Sequence, residues 1–198
     1  GSVIKFKQQN IYLLVNSVIS VACKLNIPVI FHAAGVEGYS SIDPRCRLLR
    51  SAITRPVVKS ITVRDDYNVL DNSYLSEVPR ITRAPTVDSA VWASEAFGIC
   101  ADECATTIGI GVIRAEIFEE YGYKVTGLEV MEMYCHLVDE LRKKDLECVL
   151  FTNGSKQDNE SMFKIKTKMK DIEAIYPRTP RELVQIISTF RGVVSGRL

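Results

Sequence analysis

Histidine and tryptophan are scarce in this chain: His32 and His136 are the two histidines among 198 residues, and Trp92 is the one tryptophan. Two distant histidines do not complete a metal site. Of the six cysteines, at 23, 46, 100, 104, 135 and 148, only Cys100 and Cys104 are near neighbours, with no second pair at zinc-ligand spacing. The expectation is six structural or free thiols and no metal. One tryptophan leaves no evident aromatic cluster of the kind that stacks sugar rings. An excess of charge is also missing, since 25 Lys+Arg against 24 Asp+Glu gives a net charge of +1. No global field draws this chain to nucleic acid or to an anionic membrane, so any anion must be held locally. No apolar run reaches the roughly 20 residues of a spanning helix, and no charged leader with an apolar core opens the sequence. The expected location is cytoplasmic, with at most peripheral contact at the inner face of a membrane.

What is present is α/β alternation. Leu14, Val18, Val21, Ala22 and Leu25 fall at helical spacing and predict one buried stripe, ended by Asn26. "IPVIFHAAG" reads as a buried strand ending at glycine, "DPRCRLLRSAITRP" as a loop and helix, and "VKSITVRDD" as a strand running into charge at Arg64. "NVLDNSYLSEV" predicts a short helix, and "ITRAPTVDSAVW" an extended segment ending near Asp88. The stretch from Phe97 to Thr107 has neither period and predicts a junction, giving residues 1–98, a linker at 99–106, and 107–198.

The second half begins with the strand "IGIGVIRAEIF". Val130, Met133, Tyr134, Leu137, Val138 and Leu141 then mark a helix face, closed by Arg142, Lys143 and Lys144. "ECVLFTNG" and "IEAIYPR" read as strands flanking a short helix in "ESMFKIKTKM". Thr179, Pro180 and Glu182 form a helix-start signature ahead of the last strand, "GVVS". Strand and helix alternate with tight connections, which predicts Rossmann-like units with mainly parallel sheets. The tripeptides at Asn153 and Asn159 match the glycosylation pattern and read as polar loop.

Ligands of open parallel sheets bind beyond the carboxyl ends of the strands. Three arginines have that placement: Arg64 after "SITV", Arg114 after "IGIGVI", and Arg197 after "GVVSG". A planar guanidinium suits carboxylate or phosphate. His32, next to a glycine turn, is a candidate for proton transfer or acceptor binding, with a hydrogen-bonded core histidine as the alternative. His136 reads as solvated. Arg45, Arg47, Arg50 and Arg55 read as a solvated helix face or as a patch that steers an anionic glycan.

In order, "PVIFHAAGVEGY", "ITVRDD", "PTVDSAVW", "IGIGVIR", "VLFTNGSKQDNE" and "RGVVSGRL" resemble the polysaccharide pyruvyl transferase family. Its members show a strand entering a glycine-rich turn, a strand ending in Val-Arg-Asp or Val-Arg-Glu, and an Asp ending the next extended segment. A Gly-x-x-x-Arg-like strand and a strand ending in Arg-Leu-His follow. The resemblance implies two Rossmann-like domains facing one another in a GT-B-like arrangement, with the active site in the cleft. It implies transfer of the pyruvyl group of phosphoenolpyruvate onto a sugar of a cell-surface or exopolysaccharide, or onto its precursor. Phosphoenolpyruvate would be the co-substrate, with no cofactor and no metal. The acceptor sugar would sit on a nucleotide, a lipid carrier or a polysaccharide. By the same resemblance Arg197 and Arg64 hold the donor's phosphate or carboxylate and Leu198 contributes backbone. Arg114 is a further donor-binding candidate by its placement, and His32 faces the acceptor.

Two departures qualify the match. The family's last motif continues with histidine, whereas this sequence ends at Leu198, and members are much longer. The expectation is an internal fragment with both domains incomplete, inert on its own because the general acid is missing. A GT-B glycosyltransferase using a nucleotide sugar is the alternative enzyme, although its glycine-rich diphosphate loop and ribose-binding acid are not evident. A non-catalytic glycan-binding domain is the third reading.

Overall fold

The computed structural model describes residues 2–7, 10–120 and 122–196, and the chain divides into two compact units, Gly1–Val91 and Trp92–Leu198. The division falls ahead of the 99–106 segment read as a linker. Helix Ala93–Phe97 packs on helix Pro180–Ser188, and the Asp102 amide donates to Ser188 O at 2.8 Å, which ties the loop to the second unit.

The first unit runs β1 (Ser2–Ile4), α1 (Ile11–Lys24), β2 (Val29–Val36), α2 (Pro44–Ile53), β3 (Val58–Val63), α3 (Tyr67–Val69) with a π-helical turn to Tyr74, and β4 (Thr82–Pro85). The strands lie in the order β1-β2-β3-β4, all parallel. Each crossover steps the same way, so right-handed connections place α1 and α2 on one face. A single core follows, joining Val15, Ile19 and Ala22 of α1, Leu49 and Ile53 of α2, and Ile61 and Val63 of β3. The other face of the sheet is open: Ile30, the second residue of β2, is 67% exposed. Helix α2 starts as its sequence directs, with Pro44 in the first turn and Asp43 Oδ1 accepting from the Arg45 amide at 2.8 Å.

Of the stripe expected to be buried on α1, Ala22 is buried and the other four residues are exposed. Leu14, Val18, Val21 and Leu25 are 60, 54, 54 and 63% exposed, and the neighbouring stripe of Val15, Ile19 and Ala22 meets the core. Lys24 is the only charged residue of α1, so the helix is apolar on more than one side and spacing alone does not choose between them. Rotation is fixed by tertiary contacts: Arg55, just past α2, donates to Ser20 Oγ at 2.6 Å and to Asn16 Oδ1 at 3.1 Å.

The second unit runs α4 (Ala93–Phe97), β5 (Ile108–Gly111), α5 (Glu116–Glu120), α6 (Gly127–Arg142), β6 (Cys148–Phe151), α7 (Lys156–Lys168), β7 (Glu173–Ile175), α8 (Pro180–Ser188) and β8 (Gly192–Ser195). Its strand order is β7-β6-β5-β8, all parallel. The chain winds outward from β5 to β7, and α8 then returns it to the far side of β5. Helices therefore cover both faces. Val130, Val138, Met162 and Ile165 of α6 and α7 pack on Ile110 and Leu150, while Leu183 and Ile186 of α8 pack with Val149, Phe151 and Phe190. This is the doubly wound, Rossmann-like pattern.

Sequence starts these helices too. Thr126 and Glu129 close a capping box on α6, and Thr179 Oγ1 accepts from the Glu182 amide at 3.1 Å on α8. Met133, expected in the α6 core face, is 46% exposed; the face is centred on Val130, Tyr134 and Val138. Helix α7 begins earlier than its apolar pattern suggests, because Ser155 Oγ accepts from the Asp158 amide. Among the described residues no helix is long and apolar enough to cross a membrane.

Candidate functional site

In the second unit the strand order reverses between β5 and β8, which makes their carboxyl ends a topological switch point. Gly111 and Ser195, the last residues of the two strands, are register partners. A Cβ on Gly111 would run into Ser195, and one on Gly109 into the Phe190 ring. The two glycines of "IGIG" thus make room for packing on the α8 face. They are not a phosphate loop. A Cβ on Gly196 would lie 3.0 Å from Ile113 Cδ1, so the turns leaving β5 and β8 are close neighbours.

Two buried polar side chains hold the turn after β5. Tyr134 Oη accepts from the Ile113 amide at 3.0 Å and donates to Gly111 O at 3.3 Å. Burial pushes the Tyr134 phenol up, against the opposing pull of the Ile113 amide, so it stays neutral and keeps its donor. Asp158, fully buried in the first turn of α7, accepts the Arg114 amide on Oδ1 at 2.9 Å. The N-terminal end of a helix favours such a carboxylate. Together the two fix residues 112–114, and half-buried Arg114 follows a rigid turn.

The turn after β6 is also built from polar groups. Thr152 Oγ1 lies 2.5 Å from Asn159 Oδ1 and accepts from the Gly154 amide at 3.1 Å, while Asn153 Oδ1 accepts from the Ser155 amide at 2.9 Å. Gly154 has φ +86°, and a side chain there would meet Pro177 O at 2.7 Å. The hollow beside Ile113, Tyr134 and Ile165 measures about 50 Å³. That is room for one or two waters, so a ligand of this edge must sit in the open crevice.

In the first unit the carboxyl ends carry charge. Arg64 follows β3, and its amide donates to Ala34 O at 3.2 Å. Its guanidinium pairs through Nη1 with Asp88 and lies 3.8 Å through Nε from Asp65. Asp65 Oδ1 accepts from the Val36 amide at 2.6 Å, and Asp88 Oδ1 from the Ala90 amide at 3.0 Å. The Ala90 amide, and after it Arg64, hold the Asp88 carboxyl below its ordinary range. An anion reaching Arg64 meets a guanidinium already paired with two carboxylates, and must use its Nη2 edge or displace Asp88.

His32 is not at the end of its strand. β2 continues to Val36 past a register shift at Ala33, whose φ is +49°. The freed Ala33 amide donates to Thr62 Oγ1 at 3.1 Å, and His32 Nδ1 is 3.1 Å from the same oxygen. His32 therefore lies exposed on the open face of the sheet, beside Thr62, the last residue but one of β3. Arg45 pairs with Asp43, Arg50 holds Tyr74 O and Glu77, and Arg55 holds α1, so three members of that cluster brace the fold. Arg47 and His136 are exposed, and Trp92 is 58% exposed. Arg197 and Leu198 lie outside the described residues.

Comparison with protein-family models, curated proteins and solved structures finds no match to this chain.

Sequence reading missed Tyr134 and Asp158. Ser155, three residues before Asp158, signals a helix start but not the burial of Asp158. Tyr134 has no signal, because on a helix face it reads as core. The six cysteines are free thiols, with Cys46 and Cys135 buried and Cys100 and Cys104 exposed. Among the described residues no group of three His, Cys, Asp or Glu side chains is placed to hold a metal ion.

Proposed function

We propose that this chain belongs to a pyruvyl transferase, which moves the pyruvyl group of phosphoenolpyruvate onto two hydroxyls of a sugar, with its units in a GT-B-like arrangement. The single observation in support is placement. Arg64, Asp88, Arg114 and Gly196, each within a motif of the resemblance, all follow the carboxyl ends of parallel strands. A proton goes to the enol carbon, making it a methyl group, and the neighbouring carbon takes up one sugar hydroxyl as that hydroxyl loses its proton. The second hydroxyl then displaces phosphate, and the products are a cyclic ketal and inorganic phosphate. The protein must supply an acid, a base and cations for a small trianion. Arg64, Arg114 and Arg197 are assigned to the donor. His32 is assigned to the acceptor side, where its exposure on the open sheet face suits a sugar better than a buried proton relay.

Thermal shift with phosphoenolpyruvate tests the reading. Phosphoenolpyruvate should raise Tm, and Arg64→Gln and Arg114→Gln should each weaken its binding by about 1.5–3 kcal/mol, the worth of a hydrogen bond to a charged group. In a catalytically competent protein, Arg197→Lys should cost a similar amount, since lysine keeps the charge and loses the fork. No phosphoenolpyruvate shift, together with a shift from a nucleoside diphosphate, would replace this reading with a nucleotide-sugar glycosyltransferase. Phosphate release from phosphoenolpyruvate with a panel of nucleotide- or lipid-linked sugars then identifies the acceptor.

A further inference from the structure

Three acids at the carboxyl edge of the first unit spend their oxygens differently. Glu37, just past β2, accepts the Phe6 and Lys7 amides on Oε2, both at 3.2 Å. Asp65, just past β3, accepts the Val36 amide at 2.6 Å. Each of these braces a neighbouring strand or turn through its backbone. Asp88, past β4, instead grips a side chain: one oxygen takes the Ala90 amide of its own turn, and the other takes Arg64 Nη1. That contact uses a single nitrogen of Arg64, whereas Arg45 meets Asp43 through both Nε and Nη2, at 3.1 and 2.7 Å. Arg64 thus stands at a strand end with its fork half filled, and Asp65, 3.8 Å from Nε, is too far to complete it.

We propose that Asp88 is a built-in competitor for an anion at Arg64: a dianionic phosphate group displaces it, and simple monoanions do not. This rests on the assignment of Arg64 to the donor. Two features make Asp88 the exchangeable partner. Its side chain is 40% exposed, so water can replace Arg64 around the released oxygen, while the Ala90 amide still holds the other one. The Arg64 backbone keeps its place without the pair, because its amide donates to Ala34 O. Charge then sets the selection. Arg64 brings one positive charge and Asp65 and Asp88 two negative ones, so an anion that added without displacing Asp88 would be repelled. A monoanion that replaced Asp88 would only reproduce its contact. It would also compete from solution against a tethered carboxylate whose effective concentration is on the order of millimolar. A phosphate monoester brings a second charge and oxygens spaced for both arms of the fork. Asp88 therefore selects phosphate over carboxylate at this arginine, which assigns the donor's phosphate, rather than its carboxylate, to Arg64.

NMR titration of the 198-residue chain, following Arg64 Cζ and the Ala90 amide at constant ionic strength, tests this. The probes are inorganic phosphate, phosphoenolpyruvate and acetate, at about pH 7.5, where phosphate is mostly dianionic. Phosphate and phosphoenolpyruvate should move the Arg64 signal, and acetate should not up to about 50 mM. Asp88→Asn keeps an oxygen for the Ala90 amide and removes the competing charge. It should tighten phosphate about tenfold and let acetate bind, with circular dichroism unchanged. Asp65→Asn removes a charge of the same sign without vacating Nη1, and should tighten phosphate by no more than about threefold. If phosphoenolpyruvate reaches Arg64 in the unaltered chain but Asp88→Asn binds phosphate no more tightly, Asp88 is a structural brace and this inference fails alone. An equal gain from Asp65→Asn also overturns it, since local charge and not competition is then responsible. If no anion moves Arg64 in either protein, the assignment of Arg64 to the donor fails and this inference fails with it.

Discussion

The two units use the same strand–helix alternation and arrive at different objects. In the first, strands follow one another across the sheet in chain order, so the helices collect on one face and one core forms. In the second, a single return across β5 gives the order β7-β6-β5-β8, two faces covered by helices, and a switch point. Local pattern hardly differs between them. What differs is which neighbour each new strand joins, and that decides where a crevice can open. The second unit has one by topology, braced by Tyr134 and Asp158. The first has a row of charged strand ends and an open sheet face.

The sharpest way to break this comparison is Phe190→Ala. Its ring fills the space that Gly109 leaves and sits 5.5 Å, between centroids, from Phe151, in a core that the first unit has no counterpart for. The substitution should cost about 3–5 kcal/mol. Hydrogen exchange should show the loss at β5, β6 and β8 with β2 and β3 unchanged, and equal loss in both units would show that the two cores open together. Next in size is Tyr134→Phe, which strands the buried Ile113 amide and should destabilise the second unit by about 1–3 kcal/mol, read from denaturant midpoints. A cost near zero would mean that the turn after β5 does not depend on the phenol.

Acid sharpens the comparison from the other side. Arg45, first through its side-chain hydrogen bond, holds the Asp43 carboxyl at about 2, and the Ala90 amide followed by Arg64 holds Asp88 low. Both folded values lie below the unfolded ones. The stability they give is therefore complete above the ordinary carboxylate range near 4 and is lost as pH falls through the lowered values. Asp43→Asn should flatten the fall in melting temperature of the first unit between about pH 4 and about pH 2. An unchanged pH profile would show that the Asp43–Arg45 pair contributes nothing to the folded state. The smallest effect is expected at Ile30, where Ile30→Thr on the open face should change stability by no more than about 0.5 kcal/mol. Val149→Thr, also at the second residue of its strand but under α8, should cost about 1–3 kcal/mol by burying a hydroxyl. Equal costs at the two positions would show that the first sheet's face is covered in solution.

Most strands and helices were legible because their signals are local. Proline at Pro44 and Pro180, the Thr126–Glu129 and Thr179–Glu182 caps, the β-branched run of β3 and the apolar run of β6 act within a few residues. The site was legible in part. Arg64 and Arg114 were found by their position after apolar runs, but their settings were not. That Arg64 is paired with Asp88 depends on β4 lying beside β3, and that Arg114 is braced by Asp158 depends on α7 reaching across from the neighbouring strand. His32 lies short of its strand's end, because β2 runs on through the irregularity between Phe31 and Ala34 to Val36, one residue past the glycine read as its end.

By itself, then, the sequence determined that this chain alternates strand and helix, where the helix after Thr179 begins, and that its charges balance. The first two properties come from backbone sterics, caps and side-chain periodicity, all of which act over a handful of residues. Tertiary structure alone decided which side of α1 is buried, that one sheet is covered on one face and the other on two, and that a tyrosine and an aspartate far apart in the chain fix the same turn. Each of those depends on which strand lies beside which, a choice made by the whole core at once, and no short stretch of residues contains it.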